Sequence, residues 1–210
     1  MLLDISMPVF SGMPIWPGDT PFSTEFTWQL ENDCPVNVSR MTLSTHSGTH
    51  ADAPLHYQSD GCAVDQLSLT PYLGVCRVVH CLDAGTHVSL AQVQNRLQTM
   101  NTPLPARLLI RTWHVNPIET WRSDFPGISV ELINWLAEQG VCLLGVDSAS
   151  LDPVASKTLD AHHALAHHGM AVLENLLLDH VPEGDYELIA LPLKLLHLDA
   201  SPVRAILRGL

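Results

Sequence analysis

The sequence predicts a mixed α/β domain built around a β-rich core. Three observations carry this expectation. Seven apolar runs have strand length and composition, fewer helical patterns fall between them, and 210 residues suit a single domain spanning 1–210.

The strand-like runs are residues 40–45, 74–81, 107–112, 141–147, 170–178, 186–191 and 203–207. They are rich in β-branched and other apolar residues and are bounded by turn formers. Residues 89–100 read as a helix capped by Ser89. Residues 129–139 read as a second, with Ser129 as cap, Leu132, Ile133 and Leu136 on one face, and Gly140 as stop. A third covers 160–168, from an acidic cap at Asp160 to Gly169. Most of the fifteen prolines lie in connections such as "WPGDTP" and "NTPLP", which predicts shaped loops rather than tight hairpins.

Composition excludes several functions. The formal charge is -12, and ten Lys and Arg without a basic run cannot neutralise a nucleic-acid backbone. The amino terminus "MLLDISMPVFSGMPIWPGD" lacks the basic start of a secretory leader, and no apolar run has membrane-spanning length, so a cytoplasmic protein is expected. Five scattered cysteines without a Cys-x-x-Cys pair fit reduced thiols. Twelve histidines against ten Lys and Arg point instead to metal or proton chemistry.

That chemistry concentrates in "THSGTHADAPLHY", residues 45–57. His46, His50, Asp52 and His56 share parity, so an extended chain would turn all four to one face. A helix would bring His46 and His50 together but throw Asp52 away, and Gly48, Thr49 and Pro54 make a poor helix interior. Two imidazoles and a carboxylate form a ligand set for zinc, manganese or iron(II). A second cluster lies in "DAHHALAHHGMAVLEN", residues 160–175. His162, near a helix N-terminus, is expected as a neutral imidazole, whereas His167 and His168 suit a helix C-terminus. Glu174 interrupts an apolar run, where a carboxylate is expensive unless it is paired or meets a cation. His80, His87, His114, His180 and His197 read as surface or internally satisfied residues.

These segments resemble the metal-dependent cyclase-like hydrolase family, whose signature His-x-Gly-Thr-His-x-Asp-x-Pro-x-His is similar to "HSGTHADAPLH". Further likeness runs through "DISMPVFSGMPIWPGDTPF", "LLGVDSASLDP", "SKTLDAHHALAHHGMAVLENL" and "LIALPLKLLHLDASPVRAIL". Within the family the chain is similar to the bacterial arylformamidase branch. The resemblance implies a swivelling β/β/α-like fold, a homodimer, and two divalent metals per subunit, zinc foremost with manganese acceptable. It implies His46, His50 and Asp52 as ligands of one metal, Asp52 and Glu174 as bridging carboxylates, and His162 as ligand of the other. The adjacent His163 is the alternative to His162. His56 takes the place of the proton-transfer histidine, and Trp16 that of a substrate-contacting aromatic.

The implied reaction is hydrolysis of N-formyl-L-kynurenine to L-kynurenine and formate. Rival readings are a cyclic-amide hydrolase of the isatin type and a non-catalytic metal-binding protein. A serine hydrolase is disfavoured, because no Gly-x-Ser-x-Gly elbow occurs. Asp147, Ser148 and Asp152 read as ordinary turn residues.

Overall fold

A computed structural model describes residues 1–31, 33–100 and 102–210. In chain order its early strands are β1 (Leu2–Asp4), β2 (Ser23–Trp28), β3 (Val38–Thr42) and β4 (His50–Asp52). There follow β5 (Leu73–His80), β6 (His87–Val88), helix α1 (Leu90–Met100), β7 (Arg107–Arg111), β8 (Gly127–Ile128) and helix α2 (Val130–Glu138). The last elements are β9 (Leu143–Val146), helix α3 (Asp160–His167), β10 (Ala171–Leu173), β11 (Gly184–Ile189), β12 (Ala200–Pro202) and β13 (Ile206–Gly209).

Seven strands form one mixed sheet in the order β1-β13-β11-β5-β7-β9-β10. The half from β1 to β5 is antiparallel, and β5, β7, β9 and β10 run parallel. Alternation along the central strands feeds two cores. Val79, Leu108, Ile110 and Leu144 pack with Leu132, Ile133 and Leu136 of α2 on the helical side. Val78, Leu109 and Leu143 pack on the opposite side with Ile5, Leu188 and Leu207. A strand buried on both faces reads as a continuous apolar run, which is the pattern the sequence presents.

The sequence-predicted helices appear with small differences. Ser89 caps α1 by a reciprocal bond, its hydroxyl accepting from Gln92 N–H while the Gln92 side chain accepts from Ser89 N–H. Ser129 accepts from Leu132 N–H at the start of α2. α3 departs from expectation: Asp160 is its first helical residue rather than its cap, and the preceding Leu159 is left-handed with φ 49° and no capping side chain. Two predicted strands also differ. The run 170–178 enters the sheet only as far as Leu173, and of residues 40–45 the first three belong to an exposed hairpin of β2 and β3 while 43–45 lie outside any strand. Asn101, which opens "NTPLP", lies outside the described residues.

Candidate metal centre

Only the middle of the histidine-rich segment is extended. β4 carries His50 and Asp52 and pairs antiparallel with β12, with Ala200 opposite Asp52 and Pro202 opposite His50. His50 also exchanges backbone hydrogen bonds with Glu174, just beyond β10. His46 comes from the preceding turn, where Gly48 has φ +67° and a Cβ there would meet Val9 Cγ2 at 2.9 Å. His56 comes from a 3-10 turn, Pro54–His56. The four residues therefore converge by the chain folding back around β4 and not by parity along one strand. The ring centroids of His46 lie 4.9 Å from those of His50 and 4.2 Å from those of His56.

Asp52 is the hub. Its Oδ1 lies 3.1 Å from His46 Nδ1 and 3.3 Å from His50 Nε2, and its Oδ2 lies 3.7 Å from His162 Nε2. Glu174 faces the same rings, with Oε2 3.5 Å from His50 Nε2 and Oε1 3.3 Å from His162 Nε2. Three trios have potential ligand atoms within 4.8 Å of one another: His46–His50–Asp52 and Asp52–His162–Glu174, which share Asp52, and the more exposed His46–His56–Asp199. His50, Asp52, His162 and Glu174 are all buried, whereas the neighbouring His163 is exposed.

The residues fit a divalent cation. Both oxygens of Asp52 and Nε2 of His50 are buried without a hydrogen-bond partner among the described residues. Orphaned polar atoms of that kind cost about 1–3 kcal/mol each, more when charged, unless something satisfies them. Meanwhile the far nitrogen of each imidazole is engaged. His50 Nδ1 is 2.9 Å from Gly48 O, His162 Nδ1 is 2.6 Å from Asp152 Oδ2, and His46 Nε2 is 3.0 Å from Asp199 Oδ2. An N–H directed outward leaves the lone pair directed inward, which is how outer partners prepare imidazoles for metal.

The charges respond to this crowding. Burial opposes ionisation of Asp52, yet the facing His162, His46 and His50 hold it well below the usual carboxylate range. Burial likewise opposes protonation of His50, but Asp52 and Glu174 push it up to about 10. His56 behaves differently. Burial lowers its pKa and keeps the ring neutral, and its side chain is still 35% exposed.

A cleft opens beside His46 and His50, walled by Trp16, Met13, Trp113, Trp121 and Phe125. Trp16 is 38% exposed and meets Trp121 edge to face at 5.4 Å. Asp147 anchors the Trp113 side, accepting from the N–H and hydroxyl of Thr112 and from Trp113 N–H, while burial pushes its pKa up to about 6.

Two contributors escape local sequence reading. Asp152, which reads as a turn residue, accepts from the N–H groups of Ala161 and His162 and so supplies the cap that α3 lacks, besides holding His162 Nδ1. Asp199 contacts both Thr45 and His46 from the far end of the chain. The remaining histidines behave as expected. His80 Nε2 bonds Val181 O, His168 Nε2 bonds Asn134 Oδ1, and His87, His114, His167, His180 and His197 are exposed.

A mixed sheet backed by helices on one face, with histidines and carboxylates converging beside one cleft, fits a metal-dependent hydrolase. A family model described as putative cyclase matches residues 3–153. The chain belongs to the cyclase family and is an amidohydrolase within it. It is 51% identical over 209 residues to kynurenine formamidase of Bordetella pertussis, covering 100% of this chain and 98% of the relative. A solved structure of a potential metal-dependent hydrolase with cyclase activity superposes with TM-score 0.82 at 25% identity, over 99% of this chain and 96% of the other. An isatin hydrolase bound to the product analogue thioisatinate superposes with TM-score 0.85 at 21% identity, over 98% of this chain and 91% of the other, a likeness of fold alone.

Proposed function

We propose that this chain hydrolyses N-formyl-L-kynurenine to L-kynurenine and formate. The observation that carries the reading is the full-length 51% identity to a kynurenine formamidase. His46, His50 and Asp52 would hold one divalent metal and Asp52, His162 and Glu174 a second, zinc foremost and manganese acceptable. Bound there, such ions would lower the pKa of water toward about 7 and polarise a carbonyl.

The chain's own residues supply the rest. Trp16, at the cleft mouth with Trp121 and Phe125, receives the aryl ring of the substrate against an apolar wall. His56, kept neutral by burial, takes a proton from the attacking water and returns it to the arylamine nitrogen as the C–N bond breaks. Water thereby adds oxygen to the formyl carbon, and formate and the free amine leave.

A homodimer is part of the same reading. Every residue of strands β2 and β3 is exposed, including Phe26, Trp28 and Met41, and an isolated two-stranded hairpin is marginal in water. The free cysteines suit the reducing cytoplasm.

The test is release of formate and kynurenine from N-formyl-L-kynurenine by metal-analysed protein, with isatin assayed in parallel. Saturable turnover, abolished by chelator and restored by zinc, is expected. Turnover of isatin alone would discard the substrate, and turnover of neither would sink the catalytic reading.

A further inference from the structure

We infer that Asp199 is a positioning residue that holds His46 and His56 through a single carboxylate. Its catalytic half rests on the reading of His56 given above, and its metal half rests on the contacts of Asp199 with His46.

The backbone of Asp199 is pinned beside the site. β12 begins at the next residue and places Ala200 opposite Asp52, and Asp199 O accepts from Ala53 N–H at 2.8 Å. The carboxylate is then held by hydrogen bonds to two side chains of the histidine-rich segment and faces a third. Oδ1 accepts from the Thr45 hydroxyl at 2.9 Å, while Oδ2 lies 3.0 Å from His46 Nε2 and 3.5 Å from His56 Nδ1. Thr45 thus sets the rotamer, and the second oxygen is left to face both rings.

Two consequences follow for the tautomers. A carboxylate beside Nε2 of His46 favours the proton there, which leaves the Nδ1 lone pair toward Asp52, 3.1 Å away. The same oxygen beside Nδ1 of His56 favours a proton on that nitrogen and leaves Nε2 as the base, as the aspartate of a catalytic triad does for its histidine. With the two rings only 4.2 Å apart, one carboxylate ties the pose of a ligand to the pose of the proton carrier. Asp199 makes these contacts across more than 150 residues of sequence to Thr45 and His46.

The experiment compares wild type with Asp199→Ala, Asp199→Asn and Thr45→Val. Nitrogen-15 spectra of the apoprotein, recorded at a pH alkaline enough to leave the ring neutral, report the His46 tautomer, zinc titration reports affinity, and steady-state turnover of N-formyl-L-kynurenine separates kcat from KM. In Asp199→Ala the Nε2–H form of His46 should lose its dominance and zinc affinity should fall about 10–100-fold. Turnover should fall in kcat more than in KM. Thr45→Val, which keeps the carboxylate but frees it, should shift each readout the same way by less, and with Asp199→Asn it carries the test if the alanine variant does not fold. Wild-type tautomer and wild-type zinc affinity in a folded Asp199→Ala protein would overturn the inference. If wild type itself fails to turn the substrate over, the functional reading falls, and tautomer and zinc affinity still decide the role of Asp199.

Discussion

Nδ1 of His162 lies 2.6 Å from Oδ2 of Asp152, the same carboxylate that accepts the first free N–H groups of the helix on which His162 sits. One side chain therefore fixes the start of α3 and the direction of an imidazole lone pair. Helix capping and ligand orientation are joined in a residue that touches no proposed metal position itself.

Asp152→Ala should for this reason lose two things at once. Removal of the cap lowers stability by about 1 kcal/mol, and removal of the outer partner weakens metal binding about 10–100-fold. Thermal unfolding of the apoprotein reads the first effect and zinc stoichiometry under dilution reads the second. Zinc at the His46–His50–Asp52 trio should be retained longer than zinc beside His162.

His56→Ala should lower turnover by about 10²–10⁴-fold while leaving zinc content unchanged. A ligand role would instead remove metal. In the wild type, kcat/KM should hold as pH falls through 6.5 and drop only in the more acidic range, because burial lowers the pKa of His56 and its neutral form is the base. The pH–rate profile checks this, and the acid limb due to His56 should be missing in the variant.

Metal removal should make stability depend on protons. His50 is raised to about 10 in the folded chain from an ordinary 6.5. Its contribution to apoprotein stability is thus fully present below about 6.5 and is lost as pH rises through about 10. Zinc competes with that proton, so binding should release protons and tighten as pH rises. Calorimetry in two buffers of different ionisation enthalpy measures the release, and alkaline unfolding with and without chelator measures the stability.

Gly61→Ala should damage turnover from outside the ligand set. A Cβ at Gly61 would lie 2.3 Å from the Pro54 carbonyl carbon and 2.5 Å from Leu55 N, backbone atoms of the turn that carries His56. Backbone cannot step aside as a side chain can, so the turn must move. A displacement near 1 Å at a catalytic group costs about 10²-fold in rate. Steady-state kinetics together with zinc analysis should show kcat reduced and metal content preserved.

The central strands were legible because burial on both faces writes itself as unbroken apolar runs such as the "LLI" within "RLLIR" and "LLGV". The candidate site was legible where chemistry is local: "HSGTHADAPLH" holds three histidines and an aspartate in eleven residues, and Glu174 stands out in an apolar run. What escaped is non-local. Asp152 looks like any Asp-Pro turn until α3 is seen to start at Asp160 with no capping side chain on Leu159, and Asp199 acquires meaning only when β12 pairs with β4. The strand expected over 170–178 stops at Leu173, where Glu174 turns to face His50 and His162 and Asn175 adopts φ +54°. Exposed β2 was missed because its mixed sequence "STEFTW" faces solvent on both sides and carries no alternation of burial.

The measurement that tests the central claim most directly is anomalous diffraction at the zinc edge from crystals of zinc-loaded protein. Two peaks are predicted on either side of Asp52, one among His46, His50 and Asp52 and one among Asp52, His162 and Glu174. Zinc bound elsewhere, with the Asp52 oxygens satisfied by protein or water alone, would contradict the account.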